Sequence, residues 1–152
     1  MNSDRILACT TACIAVAAVI GAFPWKLRAQ DATGSVWDGV YTQAQADRGR
    51  AAYNASCASC HGDQLTGGEI APALVGGDFM SNWNGLTVGA LFERTRTGMP
   101  PGAPGKVSRE TKVDIIAYML SFNKFPAGDR ELPTQTAMMN TISIDAEKPK
   151  KK

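Results

Sequence analysis

The chain has 152 residues, 16 Lys and Arg against 14 Asp and Glu, and 44% hydrophobic residues, the size and composition of one small domain. Its formal charge of +2 hides a split: between Gln30 and Glu147 nine basic residues meet thirteen acidic ones, and Lys148-Pro149-Lys150-Lys151-Lys152 then adds four lysines. A short basic tail on an acidic body argues against nucleic acid as a partner, because nucleic acid needs a basic face.

Ile6 to Trp25 carries no charge, with Arg5 before it and Lys26 and Arg28 after it. A basic start, an apolar run and a small residue at a cut after Ala29 read as a secretory signal peptide over residues 1–29. A stretch of about 20 apolar residues also spans a bilayer, so a retained anchor over residues 6–25 is the alternative. Cys9 and Cys13 lie in this run and read as small leader residues. Either way the remainder is exported, to a periplasm or its equivalent, with membrane contact if the anchor stays.

Residues 30–41 read as a linker, with Trp37 and Tyr41 packing on the domain edge. The domain itself is expected over residues 42–126. Thr42 is a helix cap, and the helix-forming run after it extends to Ser56. Gly49 and Tyr53, four apart, share a face that Cys57 continues, and a glycine in mid-helix calls for a close packing partner. Gly62 to Asp78 is glycine-rich and irregular, with Pro72, Leu74 and Val75 as inward contacts. Thr87 caps a short helix over Val88 to Thr97, anchored by Leu91 and Phe92. Gly98 to Gly105, with three prolines and three glycines, is a loop. Ser108 opens the clearest helix, to about Asn123, with a stripe of Val113, Ile116, Ala117 and Leu120. Residues 127–152 are expected to run as an extended tail. Nothing reads as a strand, and the fold class is all-α around a cofactor.

Cys57-Ala58-Ser59-Cys60-His61 supplies that cofactor. C-x-x-C-H is the spacing of c-type haem attachment, in which two thiols bond the porphyrin and the adjacent imidazole becomes an iron ligand. Zinc would need two further ligands, yet His61 is the only histidine and no cysteine remains outside the leader. Haem attachment consumes Cys57 and Cys60, so no disulfide is expected despite export.

With histidine exhausted, the sixth ligand is methionine, lysine, water or nothing. Met99 is favoured because Gly98 lets the backbone approach closely and Pro100-Pro101 stiffens the loop. Met80, set in a loop after Phe79, is the weaker candidate, and a Met99 that packs on haem without ligating stays open. Met119 reads as core, and Met138 and Met139 lie in the tail, far from rigid support.

These residues resemble a class I cytochrome c: CxxCH after a first helix, a downstream Gly-Met-Pro, and a last helix with Ile-Ile-Ala-Tyr-Met-Leu. The resemblance covers roughly Ala46 to Asn123. It implies a small helical fold wrapped around one covalent haem, with the first and last helices crossing where Gly49 and Tyr53 meet Tyr118. It also implies that the Pro72 carbonyl accepts from the His61 imidazole, and that Trp83 lies near a haem propionate, unless it is a buried core indole. The stretch from Ala117-Tyr118 through Asn123-Lys124-Phe125-Pro126-Ala127-Gly128, followed by Glu131-Leu132-Pro133, resembles a narrower group of small bacterial cytochromes associated with quinoprotein dehydrogenases that use pyrroloquinoline quinone.

His/Met ligation saturates iron and leaves no open site, so the expected role is a one-electron carrier without catalytic residues, not an enzyme. Its partners would be a redox donor and acceptor, such as a quinoprotein dehydrogenase and a terminal oxidase of a respiratory chain, docking at Leu65, Thr66 and Pro100-Pro101. A fixed haem subunit of a dehydrogenase or oxidase, its lysine tail on an acidic partner or anionic lipid, is the alternative. A haem enzyme or gas sensor with an open sixth position is the more remote one.

Overall fold

A computed structural model describes residues 33–150; the leader, its cut at Ala29 and the last two lysines lie outside the described residues. Six helices carry the fold: α1 (Gln43–Ser56), α2 (Ala58–His61), α3 (Gly76–Trp83), α4 (Val88–Gly98), α5 (Arg109–Phe122) and α6 (Thr136–Met139). The side chains of Thr42, Thr87 and Ser108 cap α1, α4 and α5, each accepting from the backbone N–H three residues on, as their sequence positions lead one to expect.

The centre of the fold is the crossing of α1 and α5. At Gly49 a Cβ would overlap the Asp114 carbonyl, so only glycine lets the two backbones approach this closely. Beside the crossing, the Tyr53 and Tyr118 rings lie 5.4 Å apart. Ile115 to Leu120 of α5 is buried throughout, with Val113 one turn before. The α1–α5 crossing is what the sequence implied, and it sets the position of everything at the end of α1.

Three parts differ from expectation. The irregular stretch ends early, because α3 begins at Gly76. Its first N–H is capped from afar by Asn123 Oδ1 at 3.0 Å, and Phe79 anchors it in the core. Met80 therefore stands on a helix, not in a loop.

Second, the tail from residue 127 is not extended. Leu132, Met139, Ile142 and Ile144 are core residues, and Met139 is fully buried. The Gln45 side-chain amide holds the Leu132 backbone, accepting from its N–H at 2.7 Å and donating to its carbonyl at 3.2 Å. Glu93 accepts from Thr136 Oγ1 at 2.8 Å, and Arg109 lies over the Phe92 ring while donating to the Thr134 carbonyl. Met139 thus has rigid support that its place in the chain conceals.

Third, two short strands exist: β1 (Gly34–Ser35) pairs in parallel with β2 (Ile142–Ser143). They join the linker to the returning tail, where Trp37 Nε1 donates to the Asp145 carbonyl. The linker's aromatics pack as expected, Trp37 edge-on to Phe125 and Tyr41 donating to the Phe125 carbonyl. The class remains all-α.

Candidate haem site

Cys57 closes α1, and its N–H still donates to the Tyr53 carbonyl, so the helix that crosses α5 hands directly into the attachment segment. α2 then carries Cys60 and His61 on a single turn. Cys57 and Cys60 are free of one another and partly buried. Burial, and then the neighbouring Cys60 sulfur, push the Cys57 thiol above its ordinary value. Tyr53 donates to the Gly62 carbonyl at 2.7 Å and fixes the exit of α2.

His61 is buried, with 8% of its surface exposed. Its Nδ1 lies 2.9 Å from the Pro72 carbonyl. Since a carbonyl only accepts, Nδ1 carries a proton, and in the neutral ring Nε2 is the nitrogen with the lone pair. An imidazole with a fixed ring and a free Nε2 is what an axial iron ligand requires.

The Pro72 carbonyl is held in place by the loop around it. Gly67, at φ +70°, packs against Ala71–Ala73 so closely that any Cβ would overlap that backbone. Gly67 also donates to the His61 carbonyl, and Gly68 to that of Ala71. Leu74 is pinned from both sides, donating to Leu65 and accepting from Asn123 Nδ2 at 2.9 Å. Asn123 thus ties the proximal loop and the start of α3 to the end of α5.

Met99 stands at the C-terminal end of α4, partly buried, its N–H on the Thr95 carbonyl, and a cis peptide bond joins it to Pro100. Met80 and Trp83 are also partly buried, packing against the core with Leu74, Val75 and Val107. Met80, Trp83, Leu74, Val75 and Val107 thus keep part of their apolar surface exposed, as do the half-buried Cys57 and Cys60. Leu65 is fully buried and is withdrawn as a docking residue; Thr66 and Pro101 are exposed.

Sequence reasoning overlooked Lys112, which is only 3% exposed. Its spacing was the available signal: Lys112, Ile116 and Leu120 recur every four residues along the buried face of α5.

The family described as cytochrome C oxidase, cbb3-type, subunit III matches residues 44–119, half of the chain. The chain belongs to this family of c-type cytochrome domains. The match spans the α1–α5 crossing, the cysteine pair and the Met99 loop. The cytochrome domain binds haem c covalently, and Cys57 and Cys60 have the attachment spacing. It is an electron-transfer domain and works with redox partners. No curated protein matches the chain. Among the described residues, no helix is long and apolar enough to cross a membrane.

Proposed function

We propose that the protein is an exported one-electron carrier whose haem is held by Cys57 and Cys60 and ligated by His61 and Met99. Haem iron supplies reversible one-electron exchange when bound. The observation that carries this reading is the His61 Nδ1–Pro72 contact, which commits the imidazole to the tautomer an axial ligand needs. The Pro72 carbonyl, by accepting that proton, makes Nε2 a stronger donor.

Met99 is the candidate for the opposite face. Its side chain leaves a helix end followed by two prolines, a stem that restricts where the thioether can go. A soft, neutral sulfur favours the reduced iron and, with His61, leaves no position for oxygen or peroxide. Met80, on α3, is the alternative donor.

The ligand assignment is tested by the far-red charge-transfer band that thioether sulfur gives to ferric haem. The wild type should show it, Met99→Ala should lose it, and Met80→Ala should keep it. A six-coordinate, low-spin Met99→Ala protein that keeps the band refutes Met99.

The carrier serves a respiratory or dehydrogenase chain, with a quinoprotein dehydrogenase as a candidate donor and a terminal oxidase as acceptor. The family's own description favours a second reading, a haem subunit fixed in an oxidase complex. Copurification separates the two. A subunit bound through the exposed Lys148 and Lys150 stays with its complex at low salt and leaves it at high salt, whereas a carrier leaves at both.

A further inference from the structure

Lys112 donates from Nζ to the Arg96 carbonyl at 3.1 Å and to the Pro104 carbonyl at 2.6 Å. Those two carbonyls bracket the Met99 loop, one in the last turn of α4 and the other just beyond the prolines. The need for an outside donor is written in the sequence. In an α-helix the Arg96 carbonyl would accept from residue 100, which is proline and has no N–H. A cation also suits the negative end of a helix dipole.

Burying an ammonium is costly, and Lys112 does so without a carboxylate partner, on backbone carbonyls alone. Burial lowers its pKa, as does the neighbouring Arg96 charge. Its Nζ therefore joins the last turn of α4 to the chain beyond Pro100-Pro101.

We propose that Lys112 is a positioning residue for the methionine ligand, an internal buckle that closes the 97–103 loop and keeps the Met99 sulfur over the haem. The inference rests on Met99 being the ligand. It adds that the loop's prolines do not hold the sulfur by themselves.

The test uses the haem-loaded protein with Lys112→Met and Lys112→Gln. Imidazole, which competes with the methionine, is titrated into the ferric form, and amide exchange is followed at Met99, Gly102 and Ala103. In Lys112→Met, imidazole should bind about tenfold tighter, equivalent to about 1.4 kcal/mol of lost loop closure. Exchange in the loop should quicken while the α1–α5 crossing stays protected. Unchanged imidazole affinity and loop exchange overturn the proposal. So does collapse of both variants with loss of helicity, which would make Lys112 a support of the whole fold. If the wild type lacks the far-red band, it is the Met99 assignment that fails, and loop exchange still judges the buckle.

Discussion

At His61 a single carbonyl decides the chemistry of the ring. The 2.9 Å contact with Pro72 exists because the backbone of Ala71–Ala73 is pressed against Gly67, which has no Cβ and sits in the left-handed region. Gly67→Ala should therefore act at a distance. The methyl must displace the Ala71–Ala73 backbone and strain φ, costing about 1–3 kcal/mol in denaturant unfolding. It should also lower the affinity of the proximal imidazole for iron, read as easier loss of His61 ligation on acidification. An unchanged unfolding midpoint would mean that the loop adapts and that the Pro72 carbonyl is not held by Gly67. Lys112 shows the same logic on the other side of the site, where a buried donor supplies what Pro100 lacks.

Helices announced themselves in proportion to how local their causes are. Caps at Thr42, Thr87 and Ser108 lie within four residues of what they cap, and those three helices were legible to within a residue or so. α3 was hidden because its cap, Asn123, comes from 47 residues away. The returning tail was hidden for a related reason: Leu132 and Met139 follow no helical or strand period, the alternation of Ile142 and Ile144 is too short to read as a strand, and the partners lie on α1, α4 and β1. Its status as core is measurable. Met139→Ala should destabilise the protein by about 2–5 kcal/mol, the cost of a large-to-small change in a filled core. A loss below about 0.5 kcal/mol, the range of surface substitutions, would return residues 132–144 to the role of an appended tail.

Over the whole molecule, the haem site is made where local motif and distant packing meet. CxxCH names the attachment point, and Gly49 lets α1 approach α5 so that the tyrosines and the attachment segment take a fixed place. The sequence carried the cofactor plainly, and its resemblance to a known family carried the crossing of α1 and α5. It carried the methionine only through its glycine and proline neighbours, and Lys112 only as a break in an apolar stripe. The dipolar charge pattern concerns association rather than fold, so its meaning lies with the partners. The proposed carrier role requires a haem ligated on both faces, and that is the claim to test first. The most direct measurement is the far-red absorbance of the purified ferric protein beside Met99→Ala, with carbon monoxide added to the reduced forms of both. The band should appear in the wild type alone, and carbon monoxide should bind readily only to the variant. A wild type that lacks the band and binds carbon monoxide tightly would contradict His61–Met99 ligation and make the site an open one.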